Sequence, residues 1–326
     1  MIKNFCGWLR KHATFLYAMS LAASWAWGTS LVVGMNIVQN RGVVPFLIWG
    51  VANSLALPLF GYLAFRIPYF DDIMKSKPVV LFQSVVQVFA LWIQMNAIYE
   101  ITEGMIGTTA ATVLSLAIAV LFLFFMYTNG IWRGVVLDQP IWTLCYGAMI
   151  VIAISGFVLG NNTREIVMLN SMSDVSWALY TCLVLFCGPL MNLPFWQVAR
   201  KIRDEGKMQA FNLSGVLFAV YLVLVYILAA FEFVPFMNLL LTITVCCVSI
   251  STIDNAIVGL QEFAGRKVGF VAAAASIIAW PIVIPMGVMN LWLTMGTARI
   301  WVTAACVAWC AWKCWCRKDG KNGLRS

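Results

Sequence analysis

The feature that most limits this chain is a near-continuous succession of apolar runs, each long enough to cross a bilayer. A spanning helix needs about 20 mainly apolar residues. Runs of that kind, divided by short breaks of Gly, Pro, Asn or charge, fall at about 14–37, 43–65, 79–99, 107–128, 138–160, 174–197, 211–231, 235–261, 267–291 and 295–315. The expected fold is therefore an all-α polytopic membrane protein with ten transmembrane helices in a single domain over residues 1–326. Hydrophobic residues make up 62% of the chain and charged residues 10%, where a soluble domain carries about 25% charge. That balance leaves no room for a separate soluble domain. The first apolar segment is too long for a cleaved signal peptide and has no small-residue cleavage site after it.

Orientation follows from where Lys and Arg fall between the spans, since cytoplasmic connections carry the excess. With a cytoplasmic N-terminus, eighteen of them lie on the cytoplasmic side, including Lys3, Arg10, Lys11, Arg66, Lys75, Arg133, Arg200, Arg266 and a tail cluster from Lys313 to Arg325. The opposite side keeps Arg41 and Arg164, with Arg299 near the start of the last span. Both termini are thus expected in the cytoplasm. This asymmetry also accounts for the net charge of +8 without nucleic acid as a partner. The expected partners are membrane lipid and a small-molecule substrate.

The chain has ten cysteines and one histidine, His12. Cys145, Cys182, Cys246, Cys247 and Cys306 lie inside apolar segments, where they act as small hydrophobes, and a His/Cys metal site is not expected. Near the C-terminus, Trp309, Trp312 and Trp315 interleave with Cys306, Cys310, Cys314 and Cys316. The pattern reads as an interfacial aromatic anchor, with acylation of the cysteines as the alternative.

Ten spans divide into five plus five, repeat one at about 14–160 and repeat two at about 174–315, with a short cytoplasmic tail at 316–326. Many transporters are built as inverted repeats whose discontinuous helices hold substrate and ion near the bilayer midplane. The first and sixth spans should then be broken. The first carries Ala22-Ala23-Ser24-Trp25-Ala26-Trp27-Gly28-Thr29-Ser30, a small and polar patch within an apolar run. The sixth carries Gly188-Pro189, then Asn192 and Pro194. Proline removes a donor and clashes with the preceding turn, freeing carbonyls at membrane depth. Gly and Pro also merely kink many membrane helices, and the halves show no sequence identity.

The eighth span contains Val248-Ser249-Ile250-Ser251-Thr252-Ile253-Asp254-Asn255. Ser251 and Thr252 lie one turn past Val248, so its carbonyl and their hydroxyls can converge on a small hard cation. Such hydroxyls also bond back to their own helix or to a neighbour. Asp254 reads as the carboxylate well inside a span, a proton- or ion-coupling group by default. The other reading pairs it with Arg266 or Arg200 near the cytoplasmic end.

Four stretches, in order, make the chain resemble the sodium:solute symporter family. Ser20 through Gly28, followed by Gly42, is similar to the family's first core helix and glycine-led second helix. Tyr127-Thr128-Asn129-Gly130-Ile131-Trp132-Arg133-Gly134-Val135-Val136-Leu137-Asp138 resembles its connection between core helices 4 and 5. Pro194 through Arg200 and on to Asp204 looks like its sixth-helix segment and charged loop, and Ser251-Thr252-Ile253-Asp254-Asn255-Ala256 like its eighth-helix signature. The resemblance implies a LeuT-type fold and Na⁺-driven uptake by alternating access. It places Na⁺, the coupling ion in a protein without other cofactors, on the carbonyls of Ala23, Ala26 and Val248 and the hydroxyls of Ser251 and Thr252. Substrate would lie among Ser24, Trp27, Gln94, Gly188, Asn192 and Phe195. The chain departs from the family at Ile131, around Pro140 to Trp142, at Leu193-Pro194-Phe195, and in spanning little beyond a ten-helix core.

Three functions fit the sequence. The first is a Na⁺-coupled symporter of a small organic solute. The second is a proton-coupled or exchange transporter of the amino-acid/polyamine superfamily. The third is a non-transporting sensor or assembly protein on the same fold. No GxSxG, HExxH or phosphate-binding loop is present, so an enzyme is not expected.

Overall fold

The computed structural model describes residues 13–127, 131–159, 163–202 and 204–322, without the side chains of 131–133, 204–205, 262–263 and 317–322. The Thr128-Asn129-Gly130 part of the family-like connection, Arg203, the basic N-terminal residues and His12 lie outside them.

Among the described residues twelve α-helices run in the order α1 Ala13–Asn40, α2 Val43–Arg66, α3 Phe70–Met74, α4 Lys77–Ile106, α5 Thr108–Tyr127, α6 Ile131–Val158, α7 Met172–Leu190, α8 Leu193–Lys201, α9 Asp204–Ala229, α10 Pro235–Ala264, α11 Arg266–Ala279 and α12 Gly287–Asn322. Two 3₁₀ turns, Trp280–Ile282 and Ile284–Met286, join α11 to α12. Nine helices among the described residues are long and apolar enough to cross a membrane, where the hydropathy pattern predicts ten. The difference lies in the run at 267–291. Pro281 and Pro285 end its α-helix at Ala279, and α12 begins at Gly287. Pro cannot donate to the i−4 carbonyl, so the backbone continues as 3₁₀ turns.

The run at 174–197 also divides. Met191 and Asn192 separate α7 from α8, with Asn192 in an extended conformation (φ −112°, ψ 111°). Pro194 stands in the first turn of α8, where a missing N–H costs nothing. The freed carbonyl of Leu190 accepts from Trp196 Nε1 at 2.8 Å and from Gln83 Nε2 at 3.4 Å.

Within the bundle, α1 is the central helix. Of its most apolar window 83% is buried, against 28% for the peripheral α5. It packs along α9, α10 and α6, while α10 also lies along α4 and α6, and α2 along α7 and α9. Outward faces carry exposed Leu121, Phe124, Phe157, Val158, Ile278 and Trp301. So wide an apolar exterior suits lipid rather than water.

Three contacts gather charged or terminal positions at one end of the bundle. Arg200 Nη2, in the last turn of α8, lies 3.1 Å from Asp71 Oδ1 on α3. The Lys313 ammonium, late in α12, sits 5.9 Å from the Tyr69 ring centroid. A methyl group built on Gly206 would meet Thr14 Oγ1, at the start of α1, at 2.8 Å. Partial burial pushes the Asp71 carboxyl up, but hydrogen bonds from Lys75 and Arg200 outweigh it and hold it below the ordinary carboxylate value. The other end carries the ion pair of Arg41 with Asp174 at 2.5 Å.

Candidate functional site

The site grows from the break in α1. Trp27 adopts φ 29°, ψ 141° in mid-helix, a left-handed conformation that costs a non-glycine residue on the order of 1–3 kcal/mol. In an unbroken helix the amide of Gly28 would bond the carbonyl of Ser24. Here it donates to Gln94 Oε1 on α4 at 2.7 Å. The carbonyls of residues 23–26 are those whose i+4 amides lie at or beyond the break. Gly28 also permits close approach of α10, since a Cβ there would stand 2.2 Å from Ser249 Oγ.

On one side of the break, α1, α6 and α10 enclose a buried cluster of oxygens. Asp138 of α6 accepts from Ser20 on one oxygen and from Ser251 Oγ on the other, the latter at 2.5 Å. Asn255 Nδ2 donates to Ser24 Oγ at 2.9 Å and to the Ser251 carbonyl at 2.6 Å, and Ser24 Oγ donates to the Ser20 carbonyl at 2.7 Å. Contacts at 24–255 and 28–249 bracket Ala26, Ser251 and Thr252 between antiparallel α1 and α10, with Ala23 one residue outside them. Ala23, Ala26 and Val248 are buried there as well. Thr252 Oγ1, Ser249 Oγ and both oxygens of Asp254 are buried with no hydrogen-bond partner among the described residues. A Cβ on Gly134 would lie 3.5 Å from Asp254 Oδ2, and Asp138 lies one turn along the same helix. Two buried carboxylates on adjoining helices, away from water, need a balancing positive charge. Hydroxyl, carbonyl and carboxylate oxygens are the donor set that hard cations prefer.

On the other side of the break lies a narrow cleft of about 390 Å³ of atom-free space. Trp25, Trp27, Trp49, Trp292, Asn53 and Arg299 are among the residues lining it. The space is tight, and this conformation has room for about one water. Arg299 is 2% exposed, and its guanidinium lies 5.4 Å from the Trp27 ring centroid.

The six residues expected around substrate do not share one pocket. Trp27 lines the cleft, and Gly188 backs it, with a Cβ position 2.6 Å from Trp25 and 3.6 Å from Arg299 Nη1. Ser24 belongs to the oxygen cluster and Gln94 caps the broken helix. Asn192 Oδ1 accepts from Gln87 Nε2 at 3.0 Å. Phe195 packs edge-on against Trp25, 5.8 Å between centroids. Asp254 pairs with neither Arg200, which meets Asp71, nor Arg266, which lies over Tyr127.

Two residues stand in the site that the sequence pattern does not single out. Asp138 falls at the edge of the predicted run at 138–160, but α6 starts at Ile131 and carries it inside. Arg299 falls near the edge of the run at 295–315, but α12 starts at Gly287 and puts it about three turns in. For Arg299 the available signal was a lone charge with apolar residues on either side; for Asp138 it was a carboxylate between Leu137 and Gln139 at the end of the family-like connection.

No protein-family model matches the chain, and no curated protein sequence does. Among solved structures, a substrate-bound, outward-open Na⁺-coupled sialic acid symporter is similar, at 11% sequence identity and a TM-score of 0.59. The match covers 88% of this chain and 75% of that one. At that identity the likeness is one of fold: this chain is an all-helical, multi-pass membrane protein that shares the architecture of a Na⁺-coupled symporter.

Proposed function

We propose that this protein is a secondary transporter that couples Na⁺ entry to uptake of a small organic solute by alternating access. The observation that carries the reading is the buried oxygen cluster where broken α1 meets α6 and α10, with Thr252 and Asp254 lacking donors at membrane depth. Ala23, Ala26 and Val248 would offer carbonyls, Ser251 and Thr252 hydroxyls, and Asp138 and Asp254 the balancing negative charge. Filling this site would hold α1 against α10 and favour the conformation that accepts solute. Ion and solute then strengthen each other's binding, because coupling between two sites is reciprocal.

The same reading takes Arg266–Met286 as a tenth crossing. The 14 residues of α11 rise about 21 Å, and seven more at about 2 Å each add about 14 Å. Together they reach the roughly 30 Å of a hydrocarbon core. An even count is supported by Thr14, Asp71, Arg200 and Lys313 gathering at one end of the bundle. The positive charge there makes that end cytoplasmic, and the breaks at Trp27 and Met191–Asn192 fall at equivalent places in two inverted five-helix repeats, about 14–160 and 174–315.

The test is saturable binding of radiolabelled Na⁺ to purified protein. Ser251→Ala with Thr252→Ala should weaken it at least tenfold, ~1.4 kcal/mol. Wild-type affinity in the double variant would overturn the site, and no saturable binding in the wild type would overturn Na⁺ coupling.

One observation favours a second reading, since a proton on Asp254 would neutralise the carboxylate pair as a cation does. Solute uptake would then depend on pH rather than Na⁺ and would vanish in Asp254→Asn. Uptake that keeps its pH dependence in that variant would exclude it.

A further inference from the structure

The polar atoms around the cleft share one property that bears on the solute itself. Trp27 Nε1, Trp49 Nε1, Asn53 Nδ2, Arg299 Nε and Arg299 Nη2 are all buried without a hydrogen-bond partner among the described residues. Every one is a donor, and none of the partnerless buried side-chain atoms on this wall is an acceptor. A buried donor left unpaired costs about 1–3 kcal/mol, more when charged. A cluster of five such nitrogens therefore calls for a partner rich in acceptors.

Arg299 sets the charge of that partner. It is 2% exposed, and no carboxylate among the described residues forms an ion pair with it. A lone cation at membrane depth is a functional group by default. Its place is shared by both broken helices, with the ring of Trp27 at 5.4 Å and the Cβ position of Gly188 3.6 Å from Nη1. The Trp27 face steadies the guanidinium by a cation–π contact. The two partnerless nitrogens, Nε and Nη2, form one edge of the guanidinium, the fork that holds a planar carboxylate by two parallel hydrogen bonds.

We propose that, in a conformation where this cleft opens beyond its present room for about one water, the solute is a compact monocarboxylate with further oxygen acceptors, a 2-oxo or hydroxy acid, and that Arg299 binds its carboxylate. The indole nitrogens of Trp27 and Trp49 and the amide of Asn53 donate to the remaining oxygens, while Trp25 and Trp292 cover the carbon skeleton. No Asp or Glu among the described residues lines the cleft, so an ammonium group meets no counter-charge from them and amino acids are disfavoured. This assignment rests on the transporter reading above, because it takes the cleft as the solute site.

Thermal unfolding of the purified full chain tests it, with pyruvate, lactate and glycerate set against lactamide, alanine and sulfate at fixed ionic strength. At a hundredfold excess over Kd, one of the three acids should raise Tm by about 5 °C, while lactamide, alanine and sulfate leave it in place. Arg299→Lys keeps the charge but loses the fork, and should bind that acid more than about tenfold more weakly. Arg299→Met should unfold at the same or a higher temperature than the wild type without ligand, since it removes an unpaired buried charge, and should not respond to the acid. A lower Tm in Arg299→Met would assign Arg299 to folding and overturn the proposal. Stabilisation by lactamide, alanine or sulfate, or by none of the acids, would overturn it as well. Repeating the titrations in choline separates the two readings. Acid binding that ignores Na⁺ would sink Na⁺ coupling and spare the carboxylate site, whereas Na⁺ stabilisation without any acid response would do the reverse.

Discussion

Asp138→Asn is expected to weaken Na⁺ binding roughly a hundredfold, ~3 kcal/mol, while the protein still folds. The carboxylate joins the three helices of the oxygen cluster, accepting from Ser20 on α1 and Ser251 on α10. Asparagine has nearly the same shape. Its amide oxygen can keep one hydroxyl as a donor, and the other hydroxyl can turn to accept from its NH₂, so packing is largely preserved. The lost element is the charge that balances a cation away from water. Unchanged Na⁺ affinity in Asp138→Asn, by radiolabelled binding, would remove the cluster as the ion site.

The other large effect is all-or-none. If Arg266–Met286 crosses the membrane, both ends of the chain lie in the cytoplasm. A fluorescent protein fused after Ser326 should then fluoresce, and alkaline phosphatase at the same place should be inactive. Nine crossings would reverse both signals. A fusion truncated after Gly265 should also read as cytoplasmic, and one truncated after Met286 as external. The second pair tests the crossing directly, because the α-helical part of it is only 14 residues long. A cytoplasmic reading after Met286 would make α11 a surface helix.

Much of this was legible in the sequence because a bilayer leaves the backbone few choices. Apolar run length locates α1, α2, α5 and α10 to within three residues, whereas α4, α6 and α9 each run seven residues past one end of the apolar run. The polar patch at Ala22–Ser30 and the Gly188-Pro189/Pro194 pair mark where α1 and α7–α8 are broken. Other features depend on what hydropathy averages away. Pro281 and Pro285 change the helix type without changing apolarity, so the run at 267–291 reads as one helix. Asp138 and Arg299 read as boundary residues because a charge lowers the local hydropathy and pulls the estimated helix end toward itself. Hydrogen bonds are set by tertiary packing, which explains why Gln94 caps Gly28 and Asn192 meets Gln87. Nothing in local spacing separates a residue that lines a cleft from one that holds its wall.

The most direct test of the central claim is thermal unfolding of the purified protein in NaCl against choline chloride at matched ionic strength. An ion that binds only the folded state raises stability by RT ln(1 + [L]/Kd), about 2.7 kcal/mol at a hundredfold excess. A Na⁺ site at the oxygen cluster gives a saturable, Na⁺-specific rise in Tm that moves to about hundredfold higher Na⁺ in Asp138→Asn. Identical curves in the two salts, from protein that unfolds cooperatively, would contradict it.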